Sequence, residues 1–129
     1  MLRVLLIEDN PADVLIVREA IRASSVAADV IIARDGEEAF YFLDQLHFNP
    51  DLIFLDLNLP RFNGLEVLRR YPASRNVPVI VLTNSTNPSD RAHAMQLGAR
   101  EYLTKPSDLG AFLHCVGDVL SRWTSRHSP

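Results

Sequence analysis

A single cysteine, Cys115, leaves this chain without an intramolecular disulfide framework and without the thiol set of a cysteine-rich zinc site. It also lacks a positive surplus. The formal net charge is −3, a sign that offers no general attraction to DNA, RNA or anionic lipid. Long apolar runs are missing, and none approaches the roughly 20 residues of a membrane span. The opening Met1–Ile7 resembles a secretory signal only superficially, because it breaks at Glu8-Asp9 and no small-residue cleavage site follows. Low-complexity tracts, internal repeats and linkers are absent as well. A length of 129 residues then fits one domain around one core, expected over residues 1–123, with residues 124–129 as a flexible tail. At 47% hydrophobic and 22% charged, the composition excludes global disorder. The expectation is a soluble, cytoplasmic protein with neither nucleic acid nor membrane as partner.

Short apolar runs at Arg3–Ile7, Val30–Ala33, Leu52–Leu55, Val79–Leu82 and Glu101–Leu103 alternate with segments of helical character. The second, third and fourth runs are nearly continuous in Val, Ile, Leu and Phe, as in strands covered on both faces; the fifth is short and mixed, as at a sheet edge. Helix starts are legible. Asn10-Pro11-Ala12-Asp13 and Asn87-Pro88-Ser89-Asp90 each pair an Asn cap with Pro at the first helical position and an acid two residues on. Asp35-Gly36-Glu37-Glu38 is a third start, with Glu38 placed for a box-like cap, while Pro72 and Gly98 supply stops. Strict β/α alternation implies a doubly wound parallel α/β sheet with right-handed crossovers. The ligand site of such a sheet lies beyond the carboxyl ends of its strands.

Those ends carry chemistry. The first run ends in Glu8-Asp9, the third in Asp56 and the fourth in Thr83, and the fifth is followed by Thr104-Lys105-Pro106. Each alone has an ordinary reading as a cap, a strand-end hydroxyl or a solvated lysine. Together they bring three carboxylates, a hydroxyl and an ammonium to one edge. At ~4 Å and an effective dielectric of ~20, each carboxylate pair costs on the order of 4 kcal/mol. One Lys cannot offset that, so the site needs a divalent cation or a raised carboxylate pKa. Oxygen ligands without His or Cys suit Mg²⁺. A carboxylate beside such a cation and a Lys is equipped to attack a phosphoryl group and become an acyl phosphate, to which Thr83 can donate a hydrogen bond.

The segments Ile7-Glu8-Asp9, Asp35-Gly36, Asp51–Pro60, Asn63-Gly64, Val81-Leu82-Thr83, Gly98-Ala99 and Lys105-Pro106 occur in an order and spacing that resemble a response-regulator receiver domain of two-component signalling, along nearly the whole chain. The resemblance implies a flavodoxin-like five-stranded sheet of order 2-1-3-4-5, with Asp56 as the phosphoacceptor. It implies Mg²⁺ held by Asp9, Asp56 and the backbone carbonyl of Asn58, with Glu8 reaching the metal through water. Thr83 and Lys105 take the places of the hydroxyl and amine on the phosphate, and Tyr102 falls at the switch-aromatic position, to rotate inward as Thr83 is drawn to the phosphate. Lys105-Pro106 matches a peptide bond that is commonly cis. The chain departs from the pattern at Asn84, where a smaller residue is frequent, which implies an altered dephosphorylation rate. It departs again at Arg61-Phe62, in a loop where methionines are frequent.

No DNA-binding or enzymatic sequence follows, so the expected output is docking by a single-domain, non-enzymatic regulator: a sensor histidine kinase upstream and an unknown protein downstream. Glu8–Val14 and Leu55–Pro60 look like regulators that partner bacterial phytochrome kinases. In the last helix, Leu109, Leu113, Val116 and Leu120 form one apolar seam, and Phe112, Val116, Val119 and Trp123 another. The second seam exceeds the obvious packing need and suits a homodimer contact through Phe112, Val119 and Trp123. His47, His93, His114 and His127 are scattered, with no neighbour that suggests a ligand or phosphorelay role. Two rival readings share parts of the pattern. A flavodoxin-like FMN or nucleotide binder would offer Gly, Ser or Thr amides where this chain has Glu8-Asp9-Asn10-Pro11. A haloacid-dehalogenase-like phosphohydrolase needs a second acid where Asn58 stands.

Overall fold

The computed structural model describes residues 1–45, 48–60, 63–71 and 76–124. Strands and helices alternate throughout: β1 (Leu2–Ile7), α1 (Pro11–Ala23), β2 (Ala28–Ala33), α2 (Gly36–Leu43), β3 (Leu52–Leu55), α3 (Gly64–Arg70), β4 (Val79–Thr83), α4 (Pro88–Gln96), β5 (Glu101–Thr104) and α5 (Leu109–Thr124). All strand pairs are parallel, in the order β2-β1-β3-β4-β5. The chain winds outward from β1 to β2, then returns to place β3 on the other side of β1. The order of winding therefore reverses between β1 and β3, where a crevice opens.

Side chains alternate across the sheet with a period of two. Leu5, Ile7, Ile53, Leu55, Val79 and Val81 face a core shared with α2, α3 and α4. Val4, Leu6, Leu52, Phe54, Ile80 and Leu82 face a second core under α1 and α5. β3 and β4 are buried along their whole length, as their continuous apolar runs require. β2 differs from its hydropathy reading. At the edge place that the order 2-1-3-4-5 gives it, it is only half-buried over most of its length, not covered on both faces. Hydropathy reports how much apolar surface a strand carries, whereas strand order is decided by where the crossover helices pack.

The helix starts form as the sequence dictates. The Asn10 side chain accepts from the Ala12 and Asp13 amides, and Asn87 accepts from Ser89. Asp35 accepts from the Glu38 amide while Glu38 accepts from the Arg34 amide, a capping box displaced by one residue. At the end of α4 the Ala99 amide reaches the Ala94 carbonyl and the Gly98 amide the Met95 carbonyl. This Schellman turn needs φ of +110° at Gly98, which glycine adopts without strain. The stop at Pro72 lies outside the described residues, as do Arg61-Phe62 and the chain beyond Thr124; Thr124 itself closes α5 rather than opening the tail.

The dimer seam on α5 is corrected by the packing. Phe112 and Val119 lie in the core with Val116 and Leu120, against Val14, Val17 and Ile21 of α1 and the sheet. α5 is covered on two sides, by the sheet and by α1, so both apolar sets are needed internally. Leu109 is the residue left out, 58% exposed. Trp123 is half-buried and its indole N–H donates to Glu101 of β5 at 2.7 Å.

Candidate functional site

The described residues contain four buried polar or charged side chains: Glu8 (2% exposed), Asp56 (5%), Thr83 (0%) and Lys105 (7%). All four sit at the carboxyl ends of β1, β3, β4 and β5. Buried charges persist only when paired, and a folded chain that keeps its buried polar groups at one edge has a site there.

Asp56 is held by backbone on both sides. Its amide donates to the Ile7 carbonyl at 3.0 Å, joining the ends of β3 and β1 at the crevice. On the other side, α3 begins directly against it. A Cβ on Gly64 would lie 2.6 Å from the Asp56 carbonyl oxygen and 2.7 Å from the Leu57 Cα, so only glycine allows the helix this close. The Gly64 amide closes the turn on the Leu57 carbonyl at 2.9 Å. The Asn58 amide donates to Asp56 Oδ1 at 3.1 Å, which orients the carboxylate.

Carboxylate oxygens of Glu8, Asp9 and Asp56 lie within 4.8 Å of one another. Asp9 is exposed and the other two are buried. Lys105 Nζ meets Glu8 Oε1 at 2.6 Å, Asp13 Oδ2 at 2.7 Å and Asp56 Oδ2 at 2.9 Å. One ammonium thus serves three carboxylates and a fourth stands beside them. Burial pushes the Glu8 carboxyl up to about 7, against the pull of the Lys105 hydrogen bond and with the help of the Asp56 charge. Burial alone would lower the Lys105 ammonium, but its bonds to Asp13, Glu8 and Asp56 outweigh that and raise it. The charge surplus anticipated from the strand ends therefore exists, and Lys105 offsets it only in part. Glu8, Asp9 and Asp56 offer the hard oxygen donors that a divalent cation takes, so the residues present fit one.

Asp13 was read from sequence only as a complement to the helix dipole. The structure makes it a partner of Lys105. A signal existed: side chains on a helix tilt toward its N-terminus, so an acid in the first turn after an acidic strand end leans back over that edge. Thr83 is fully buried and its Oγ1 accepts from the Ser85 amide at 3.4 Å. Tyr102 already lies inward, 8% exposed, with its hydroxyl donating to the Ser85 carbonyl at 3.1 Å. Lys105-Pro106 is trans, as are all described peptide bonds. The trans form is favoured by about 0.5–1 kcal/mol in an X–Pro bond, and Lys105 reaches its three carboxylates from it. Asn84 is exposed, beside Asn10, Asp13 and Lys105 around an open depression at the mouth of the site.

The doubly wound parallel sheet, with an acidic cluster, a hydroxyl and a shared lysine across its carboxyl edge, has a flavodoxin-like fold. The chain belongs to the response regulator receiver domain family, whose pattern it matches over residues 4–116. It is 38% identical over 128 residues to response regulator Rcp1 of Synechocystis, an alignment covering 93% of this chain and 87% of that protein. It is similar to the solved phosphorylated cyanobacterial phytochrome response regulator RcpA, with TM-score 0.89, 36% identity, and 96% and 94% of the two chains covered. It resembles the Mn²⁺-bound form of Rcp1 with TM-score 0.85 and 37% identity, covering 95% and 94%. The chain spans about half the length of other curated relatives, among them transcriptional regulatory protein TrcR of Mycobacterium tuberculosis, 35% identical over 129 residues and covered to 49%.

Proposed function

We propose that Asp56 accepts a phosphoryl group from a sensor histidine kinase and that the chain signals by docking to a downstream protein. The observation that carries this reading is the gathering of every buried polar side chain among the described residues around Asp56 at the β1–β3 crevice. In the transfer, an Asp56 carboxylate oxygen bonds to phosphorus as the P–N bond of a phosphohistidine breaks, and the departing imidazole nitrogen takes up a proton. Asp9 and Asp56, with the Asn58 carbonyl and Glu8 through water, are the groups that would hold Mg²⁺; when bound, it neutralises charge on the carboxylates and on the phosphoryl oxygens. Lys105, already 2.9 Å from Asp56, donates to the incoming oxygens. Thr83 supplies its hydroxyl to the product, and Tyr102 reports that engagement.

The similarity to a phosphorylated and a Mn²⁺-bound relative supports both the acceptor and the cation. Likeness to phytochrome response regulators favours a phytochrome-type kinase in the cytoplasm as the donor. Incubation with acetyl phosphate and Mg²⁺ followed by intact-mass measurement tests the acceptor. The wild type should gain one phosphoryl adduct of about 80 Da, and Asp56→Asn none. An adduct of equal yield in Asp56→Asn overturns the assignment.

A further inference from the structure

The chain carries 13 Lys and Arg residues, and Lys105 is the single lysine among them. Its ammonium has three hydrogens, and three carboxylates accept them: Glu8 at 2.6 Å, Asp13 at 2.7 Å and Asp56 at 2.9 Å. These acceptors come from three elements and differ in what else they do. Glu8 and Asp56 belong to the acidic cluster that fits a divalent cation, with Asp9 as its third member. Glu8 also accepts from the Asn10 amide at 3.2 Å, and Asp56 from the Asn58 amide at 3.1 Å. Asp13 stands outside that cluster, in the first turn of α1. It is drawn in against Lys105 all the same, its side chain 14% exposed and that of the lysine 3%.

A carboxylate that coordinates a cation has less to offer an ammonium, because one negative charge is then shared between two positive centres. Two of the three acceptors of Lys105 face that competition, and the third does not. A buried ammonium stays in place only while a partner offsets its desolvation, and the flexible four-carbon stem of lysine lets it leave. The place of Asp13, by contrast, is set locally. Asn10 caps α1 by accepting from the Ala12 amide at 2.9 Å and the Asp13 amide at 3.4 Å. Val14 and Val17 fix the same helix in the core. Neither support depends on what the acidic cluster holds.

We propose that Asp13 is a positioning residue that keeps Lys105 beside Asp56 when a divalent cation takes Glu8 and Asp56, by offering the ammonium a carboxylate that the cation does not use. This rests on the reading of Glu8, Asp9 and Asp56 as a cation site only for the competition; the Asp13 anchor itself needs no cation. An incoming phosphoryl group has to meet the lysine and the cation together, and Asp13 lets both positive charges stand at one carboxylate. The first turn of α1 thereby serves the phosphoryl transfer without touching phosphate. Alanine at this position offers Lys105 nothing, while asparagine offers an oxygen without the charge.

A single lysine makes the test direct, because isotope-labelled lysine gives one ammonium NMR signal whose hydrogen exchange with water reports whether Lys105 is held. In wild type that exchange should be slow in EDTA and equally slow in saturating Mg²⁺. In Asp13→Ala it should stay slow in EDTA, where Glu8 and Asp56 still hold the ammonium. With Mg²⁺ it should become roughly tenfold faster, the size expected for loss of a hydrogen bond to a charged group. A merely structural defect would show in both conditions. Exchange in Asp13→Ala that is the same with and without bound Mg²⁺, or a wild type in which Mg²⁺ frees the ammonium, overturns the proposal. A second arm, in EDTA throughout, needs no cation. With Glu8→Gln and Asp56→Asn combined the ammonium should remain slow to exchange, and adding Asp13→Ala should free it. Fast exchange already in the double variant, or slow exchange in the triple one, overturns the anchor. Asp13→Asn, close in shape to the native residue, replaces Asp13→Ala in either arm if the alanine variant does not fold, with the same direction expected. Mg²⁺ binding is read separately from the Asp9 and Asn58 amide resonances. If these do not move in wild type, the cation reading fails, and the second arm alone decides the role of Asp13.

Discussion

Replacing Glu8 by Gln should make the metal-free protein more stable at pH 8 and leave it nearly unchanged at pH 5. Glu8 is buried at the end of β1, where burial and the Asp56 charge push its carboxyl from 4.5 to about 7. Between those values the folded state holds a proton that the unfolded chain has released. Stability from this group is therefore fully present below about 4.5 and is lost as pH rises through about 7. At about 1.4 kcal/mol per pH unit, the loss across that window is at most roughly 3.5 kcal/mol. Gln keeps an oxygen to accept from Lys105 and the Asn10 amide but does not titrate. The variant-minus-wild-type difference should then rise from near zero at pH 5 to about 1–3 kcal/mol at pH 8. Urea unfolding in EDTA at pH 5, 6, 7 and 8, comparing the two proteins at each pH, reads this directly and cancels groups common to both. A difference that is flat with pH, or that runs the other way, refutes the electrostatic account of the site. Adding Mg²⁺ at pH 8 should narrow the gap, because a cation bound at tenfold its Kd adds about 1.4 kcal/mol to the wild type.

Gly64→Ala should lower stability by about 1–3 kcal/mol, since its Cβ has no room against the Asp56 and Leu57 backbone; the urea midpoint and the yield of acetyl-phosphate labelling should fall together. Val119→Asp should cost more than about 4 kcal/mol and Leu109→Asp less than about 0.5 kcal/mol, because Val119 is in the core and Leu109 is 58% exposed. Thermal melts showing the reverse ranking would restore the second seam of α5 as a surface. Asn84→Ala should shorten the acyl-phosphate lifetime several-fold by opening the mouth of the site to water. Decay of the phosphorylated form followed by mass checks it, and an unchanged lifetime removes any role for Asn84.

Few groups connect the buried site to the elements around it. Asp56 is locked between β1 and α3 by the Ile7 carbonyl and by the missing side chain of Gly64. Lys105 is stretched across three carboxylates, so any new anion at Asp56 competes directly with Glu8 and Asp13 for its hydrogens. Thr83, one strand over, reaches Tyr102 through a single residue. A local change of charge thus meets a hydrogen-bond network that already spans β4 and β5.

Much of this was written along the chain. The Asn10, Asp35 and Asn87 caps are local, each set by a side chain and an amide two or three residues away, and they formed as read. The strand-end residues Glu8, Asp9, Asp56, Thr83 and Lys105 met because parallel strands in a doubly wound sheet deliver their carboxyl ends to one edge, a consequence of alternation alone. What needed the tertiary structure was every choice among residues that look alike in one dimension. Two apolar seams on α5 were visible, but only the position of α1 decided that Phe112 and Val119 are interior and Leu109 is not. The apolar run of β2 read as covered on both faces, and only the packed structure showed most of it half-buried. Asp13 and Ser85 became site residues through partners 92 and 17 positions away. Local signals report what a residue is able to do within a turn or two; which distant group shares its hydrogen bond depends on how the layers pack.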